Sequence, residues 1–198
     1  MKKRTLALLA AAAAVVPAVQ AQNADTGNWI VRARAVYLDS ENKDSTGVGL
    51  SVNNKAVPEL DVTYFFSPNL AAELILTYPQ EHDVKAGGAV IGSLKQLPPT
   101  LTLQYHFTGL NGFRPYVGAG VNYTRLSDVQ LPSPFSIEKD SWGFAAQAGV
   151  DVPLGGGWLL NFDVKKIQIG FDVSANGVKA GTFDLDPWVW GIGFGKRF

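Results

Sequence analysis

Apolar and polar side chains alternate along most of this chain with a period of two residues. For example, Leu60, Val62 and Tyr64 are separated by Asp61 and Thr63. Side chains of a β-strand point alternately to its two faces, so this pattern predicts strands with one apolar and one polar face. The pattern recurs in eight segments: 29–40, 58–66, 70–78, 99–107, 113–126, 141–152, 158–169 and 188–198.

The connections between these segments alternate between long and short. In order they cover residues 40–57, 67–69, 79–98, 108–112, 127–140, 153–157 and 170–186. Outer-membrane barrels have long extracellular loops and short periplasmic turns, whereas a soluble β-sandwich has no reason to sort its connections in this way. The sequence therefore predicts an all-β fold, an eight-stranded antiparallel transmembrane β-barrel with both termini on the periplasmic side.

The two faces of the predicted strands support a barrel in lipid. The apolar face carries aromatic residues near its ends, as expected where a barrel meets two headgroup layers: Trp29, Tyr37, Tyr64, Phe66, Tyr78, Phe107, Phe113, Tyr123, Trp142, Trp158 and Trp188. The same rings could fill a soluble β-core. The opposite face, however, carries charges such as Glu73 and Asp163, which need mutual pairing inside a barrel.

Residues 1–21 have the features of a cleaved secretory signal peptide. Lys2, Lys3 and Arg4 precede an apolar run from Leu6 to Val16, and small residues flank Gln20. The run is shorter than the roughly 20 residues of a membrane-spanning helix. We therefore expect residues 22–198 to form the barrel domain.

Charge and cysteine content narrow the possible partners. Three of the 17 basic residues and none of the 17 acidic residues lie in 1–21, so the remainder has a formal charge of −3. Without a basic surplus or a basic stripe, we expect no nucleic-acid partner. Because the chain has no cysteine, an exported domain needs another source of stability, which a closed strand ladder provides.

Five segments of the chain are recognisable: residues 97–101, 113–124, 140–143, 147–151 and 185–189, of which Phe113 to Thr124 is the most specific. They resemble the OmpW family, which includes the AlkL alkane-uptake proteins. The resemblance covers essentially the whole chain after residue 21. It implies an eight-stranded barrel of the Gram-negative outer membrane that passes small hydrophobic molecules inward through an apolar extracellular mouth, with lateral exit into the bilayer.

The predicted long loops contain apolar residues that could form this mouth. Together with Ile75, which occupies a gate position in the family, the candidate ligand path consists of Leu50, Val52, Ile75, Val90, Ile91, Leu94, Leu97 and Phe135. A second interpretation is that the loops bury a small apolar cluster for their own stability. Both can hold together.

The lumen-facing positions are expected to form a polar plug. The predicted members are Arg32, Arg34, Glu73, Asp151, Asp163 and Lys165. Lys165 departs from the family, which commonly has an aromatic residue there. A lysine at this position should pair with Asp163, Asp151 or Glu73, and this favours lateral exit over passage straight through.

The carboxy-terminal residues resemble the signal that the barrel-assembly machinery reads. Phe198 ends an alternating row of apolar side chains, although Lys196 departs from that row. The expected partners are thus outer-membrane lipid and lipopolysaccharide, small apolar solutes and, during biogenesis, the assembly machinery.

The sequence gives little support for an enzyme or a metal site. His82 and His106 are the only histidines, and neither has a serine at a suitable spacing for a nucleophile–base pair. In Glu81-His82-Asp83, adjacent side chains on an extended chain point to opposite sides, so we expect solvated loop charges rather than a metal site. We expect no enzyme, cofactor or metal. The alternative function is a structural or stress-response barrel that serves as a docking surface for phage or bacteriocins.

Overall fold

The computed structural model describes residues 27–198 as an antiparallel β-structure. The predicted signal peptide, residues 1–21, lies outside these residues. The strands in the described part are β1 (Trp29–Asp39), β2 (Lys43–Asp44), β3 (Leu50–Val52), β4 (Lys55–Phe65), β5 (Leu70–Leu76), β6 (Gln80–Ala86), β7 (Ala89–Leu97), β8 (Thr100–His106), β9 (Arg114–Gln130), β10 (Phe135–Ile137), β11 (Asp140–Gly155), β12 (Trp158–Ile167), β13 (Gly170–Ala175), β14 (Val178–Asp184) and β15 (Trp188–Arg197). Within 27–198 there is no helix that is long and apolar enough to cross a membrane.

Eight of these strands close into a barrel. The order around the wall is β1-β4-β5-β8-β9-β11-β12-β15, and β15 returns to pair with β1. Closure pairs the first strand with the last, for example Ile30 with Arg197, and so leaves no free sheet edge around the wall. The predicted eight-stranded antiparallel barrel is confirmed.

Short turns join the barrel strands at the end that carries both described termini, which we call the turn end. The turn from β11 to β12 contains Gly155, Gly156 and Gly157, all with positive φ. Only glycine adopts this conformation without steric cost, so the triple glycine lets the chain reverse within a few residues. The four long connections lie at the opposite end, which we call the loop end.

The long connections differ from the loops expected from the sequence because they contain seven further strands. β6 and β7 form a hairpin that pairs with β3 on one side and with the upper part of β9 on the other. β10, β13, β14 and β2 form a second small sheet. Long segments packed on a barrel must satisfy their backbone hydrogen-bonding groups, and pairing as strands does this.

The outer wall exposes large apolar side chains, as expected for a surface that faces lipid. Two cross-strand pairs of lysine and tryptophan mark its ends: Lys166 lies over Trp188 at the loop end, and Lys196 lies over Trp158 at the turn end. Trp158 and Lys166, the β12 members of the two pairs, are eight residues apart, roughly 27 Å along the strand. A strand tilt of about 40° reduces this to a height of roughly 20 Å, close to the apolar band of known barrels.

Candidate functional site

The middle of the lumen is filled by buried, ion-paired side chains. This polar plug comprises Arg32, Arg34, Glu59, Asp61, Glu73, Asp151, Asp163 and Lys165, all of which are buried. It includes the six residues predicted from the sequence and adds Glu59 and Asp61. Because alternate residues of each strand point inward, strands on opposite sides of the barrel bring these charges together.

Arg32 and Arg34 are the centre of the plug. The guanidinium of Arg32 donates two hydrogen bonds to Asp151, with Nη2 2.7 Å from Oδ2, and Nη1 lies 2.9 Å from Asp61. The Nη2 atom of Arg34 lies 2.7 Å from Asp61 and 2.8 Å from Glu73. Such multiple charge pairing is what allows buried arginines to remain charged.

Lys165 forms the loop-end side of the plug. Its Nζ atom lies 2.7 Å from Asp163 and 2.9 Å from Glu59. Asp163 was one of the three partners expected from the sequence, whereas Glu59 was not. Tyr116 donates a hydrogen bond of 2.7 Å to Asp163 from the other side.

Glycines on β15 make room for the two arginines. A Cβ atom at Gly195 would lie 2.7 Å from Cγ of Arg32, and one at Gly193 would lie 2.7 Å from Cγ of Arg34. Small inward-facing residues on one strand thus accommodate long side chains from its neighbour β1. Sequence reasoning missed this role of the glycines, although their alternation with apolar residues in 189–195 was visible.

Apolar side chains fill the loop end above the plug. This loop-end cluster consists of Val36, Leu38, Leu50, Val52, Val57, Val84, Leu94, Leu126, Ala145, Ile167, Ile169, Phe171, Val173, Phe183, Leu185 and Val189. It combines the upper ends of barrel strands with inward-facing residues of the loop strands. All of these side chains are buried, so the cluster is closed in this conformation.

The structure separates the candidate ligand-path residues into two groups. Leu50, Val52 and Leu94 belong to the loop-end cluster, and Ile91 packs against it. Ile75 is buried in the lumen between the plug and the cluster, opposite Asp61 on one side and Thr100 on the other.

The other three candidates do not line the cluster. Val90 is 60% exposed at the hairpin tip, and Phe135 is 36% exposed. Leu97 lies on the opposite face of β7 from the buried residues Leu94 and Gln96. These three residues therefore lie outside the loop-end cluster, because an apolar residue of a loop joins it only where its strand face turns inward; their part in a ligand path stays a prediction.

Sequence reasoning also missed the largest contribution to the cluster, which comes from the fourth long loop. Ile169, Phe171 and Val173 of this loop alternate with polar or small residues, and all three belong to the cluster. The same period of two that identified the barrel strands could have identified this stretch.

The wall ladder is interrupted near the loop end, between the β5–β8 pairs and the β6–β7 pairs. β5 pairs with β8 as far as Ile75 and Thr100, and β6 pairs with β7 from Gln80 and Gln96 onward. No pair of the ladder joins residues 76–79 to residues 97–99. We call this interruption the wall gap.

Prolines explain why the ladder stops there. Pro79 lies on one side of the wall gap, and Pro98 and Pro99 lie on the other. Proline has no backbone N–H to donate to a neighbouring strand. The wall is intact on the other side of the two prolines, where Asn122 of β9 donates side-chain hydrogen bonds to the carbonyls of both. The three prolines were visible in the sequence, but their juxtaposition required the strand register.

Phe198 closes the ladder at the turn end. Its backbone N–H donates to the carbonyl of Trp29 at 2.8 Å, and its carbonyl accepts from the N–H of Trp29 at 3.2 Å. Its ring is 62% exposed on the outer wall. Its role as an assembly signal stays a prediction.

The Glu81-His82-Asp83 segment is part of strand β6. Glu81 and Asp83 are exposed on one face of β6, while His82 is buried on the other. The two carboxylates therefore point away from the imidazole.

Comparisons with known proteins agree with this architecture. The sequence profile of the OmpW family matches residues 25–198. The chain is 39% identical to "Uncharacterized outer-membrane protein y4mB" of Sinorhizobium fredii over 93% of this chain and 86% of the relative. It is 28% identical to "Dibenzothiophene metabolism operon protein PahQ" of Pseudomonas aeruginosa over 82% of this chain and 80% of the relative.

A solved structure provides an independent comparison. The crystal structure of the outer membrane protein OprG from Pseudomonas aeruginosa superposes with a TM-score of 0.75 at 34% identity, covering 87% of this chain and 96% of that one. The profile match spans all of the described residues, and both y4mB and OprG are named as outer-membrane proteins. This chain therefore belongs to the OmpW family and is a β-barrel of the bacterial outer membrane.

Proposed function

We propose that this barrel gives small hydrophobic molecules passive access across the polar outer surface of the cell. A solute is taken up among the apolar residues of the loop end and leaves sideways into the bilayer through the wall gap. The observation that carries this proposal is the position of the wall gap, which lies between the loop-end cluster and the polar plug.

The plug makes the sideways path more favourable than a path along the barrel axis. A solute that continued along the axis would have to separate Arg32 and Arg34 from their carboxylates, and breaking a buried ion pair costs about 3–5 kcal/mol. A solute that leaves through the wall gap exchanges one apolar environment for another. Burial of apolar surface contributes about 25 cal/mol per Å², so the cluster attracts such a solute without an energy source.

The proposed path also implies an orientation of the barrel in the membrane. We place the loop end outside the cell and the turn end, with the carboxy terminus, in the periplasm. Lipopolysaccharide then surrounds the loop end, where a polar layer slows apolar solutes and an apolar access point is useful. The role is passive and non-catalytic. A relative whose name refers to a dibenzothiophene metabolism operon supports an aromatic hydrophobic solute.

Uptake of a medium-chain alkane tests the proposal. Cells with the protein should take up the alkane faster than cells without it. Ile91→Asp should reduce the protein-dependent uptake roughly tenfold, because it places an unpaired charge against the apolar cluster. Val90→Asp is the matched control, since Val90 is the neighbouring residue but is exposed at the hairpin tip.

Both variants should reach the membrane in equal amounts, as measured from the folded barrel in isolated outer membranes. Equal uptake with and without the protein would contradict the proposal and leave the structural or docking barrel as the better description. An equal effect of the two substitutions would contradict the assignment of the path to the inner face of β7.

A further inference from the structure

Two buried glutamines and one half-buried threonine lie beside the wall gap without their full complement of hydrogen bonds. Gln80 and Gln96 are a direct cross-strand pair of β6 and β7, and they are 1% and 2% exposed. Both amide atoms of Gln80, Oε1 of Gln96 and Oγ1 of Thr77 have no hydrogen-bond partner among residues 27–198. We call Thr77, Gln80 and Gln96 the polar collar.

The orientation of Gln96 is set by its neighbour His82. The Nδ1 atom of His82 lies 3.1 Å from the carbonyl oxygen of Asn53, so Nδ1 carries the proton and donates to it. The Nε2 atom of His82 then accepts a hydrogen bond from Nε2 of Gln96 at 3.0 Å. Burial lowers the pKa of His82, which keeps the imidazole neutral and preserves this acceptor. The carbonyl oxygen of Gln96 is consequently left free.

The collar lies between the apolar residues and the wall gap. Leu94 and Val84 of the loop-end cluster are on the same buried faces of β7 and β6, farther from the gap. Ile75 is on the plug side, and Thr77 belongs to the interrupted segment itself. A solute that moves from the cluster to the gap therefore passes the collar.

We propose that the collar selects neutral amphipathic solutes that have a small apolar body and one hydrogen-bonding group, such as a hydroxyl or a carbonyl. This inference rests on the proposed sideways path. A carboxamide both donates and accepts, so Gln80 can pair with an alcohol, a ketone or an aldehyde. A pure hydrocarbon fills the same space but leaves the buried amide unpaired.

This selection follows from the free energy cost of leaving a buried polar group without a hydrogen bond. A buried polar group that stays unpaired loses its interaction with water and gains nothing in return. A site with such groups favours the ligand that pairs with them over an analogue that lacks the polar group. An ionised solute is disfavoured, because neither the collar nor the cluster supplies a counter-charge.

Uptake of 1-octanol and of octane by cells that carry the full-length protein tests this selection. For each solute, the rate in cells without the protein is subtracted. We expect the protein-dependent rate to be about fivefold higher for 1-octanol than for octane, the ratio that one net hydrogen bond supplies. Gln80→Leu should remove most of this preference by slowing 1-octanol while leaving octane unchanged.

Two further variants complete the experiment. Gln130→Leu is the control, since Gln130 is an exposed glutamine at the end of β9. Gln96→Leu provides a second measurement of the collar if Gln80→Leu does not assemble.

The outcomes separate this inference from the proposed function. If the protein accelerates neither solute, the proposed uptake function fails. If it accelerates both equally, or if Gln80→Leu and Gln96→Leu leave the ratio of the two rates unchanged, the function stands and selection by the collar is overturned.

Discussion

The polar plug and the loop-end cluster are built on the same strands but are stabilised in different ways. On β12, the inward-facing residues Asn161, Asp163 and Lys165 belong to the plug region, and the next inward residue, Ile167, belongs to the cluster. On β1, Arg32 and Arg34 are followed by Val36 and Leu38. The ladders of β1 and β12 are continuous through both regions, so on these strands the identity of every second residue decides the chemistry of the lumen.

Substitutions in the two regions should therefore affect stability in different ways. The plug depends on specific pairs of opposite charge, and the loss of one partner leaves another charge buried without compensation. The cluster depends on buried apolar area, which a smaller side chain reduces without leaving an unpaired charge. Perturbation of the plug should therefore have the larger effect on stability.

Removal of one plug cation should have the largest effect. Arg34→Met leaves Glu59, Asp61 and Glu73 with fewer positive partners in a buried site. The free energy of unfolding should fall by about 4 kcal/mol. Urea unfolding of the protein in lipid vesicles measures this value.

Arg125→Met is the control for this prediction. Arg125 lies 3.7 Å from Asp140, and its side chain is 65% exposed, so its loss should change the unfolding free energy by less than about 1 kcal/mol. Similar effects of the two substitutions would show that the plug does not carry the stability assigned to it.

Truncation of a cluster residue should have an intermediate effect. Ile169→Ala removes a side chain that is 1% exposed in the fourth long loop. If the cluster is packed as tightly as a protein core, the loop should lose about 3 kcal/mol of stability. Hydrogen exchange of the β13–β14 backbone amides measures this local stability.

Val178→Ala, in the same hairpin but 70% exposed, should leave this exchange unchanged. A loss below about 1 kcal/mol for Ile169→Ala would indicate that the cluster is loosely packed and admits solutes with little rearrangement. The expectation that the cluster is packed as tightly as a protein core would then be wrong.

The smallest effect concerns the space that glycines leave for the plug. In Gly193→Ala the new methyl group would overlap the carbonyl oxygen of Ala33, which is backbone and can shift only with the strand. We expect a loss of about 2 kcal/mol from overpacking, measured by the same urea unfolding.

Gly191→Ala is the matched substitution one inward position away. Its methyl group would lie 3.2 Å from a methyl group of Val36, a contact that small side-chain adjustments can relieve. A larger loss for Gly191→Ala than for Gly193→Ala would contradict the role of the β15 glycines in the plug.

Much of the barrel could be predicted because its pattern is local. Alternation with a period of two marks a strand wherever its two faces meet different environments, and this identified all eight barrel strands. The six predicted plug residues were recognised for the same reason, since a charge on an inward face must find a partner inside the barrel.

The candidate ligand path was predicted less completely because it depends on the loops. Val90, Phe135 and Leu97 are apolar, but their strand faces or tip positions turn them away from the cluster. Ile169 and Phe171 were overlooked although they alternate as clearly as the barrel residues. An apolar residue in a loop has no assigned face until the pairing of that loop is known.

The sequence by itself determined the number of barrel strands, the face that each of their residues occupies and the charged character of the lumen, because these follow from the two-residue period of a single strand. Only the tertiary structure decided which charges pair, where Pro79 meets Pro98 and Pro99, and how Thr77, Gln80 and Gln96 come to lie together. Those features depend on the register between strands that are distant in the chain, and register is fixed by the closure of the whole barrel.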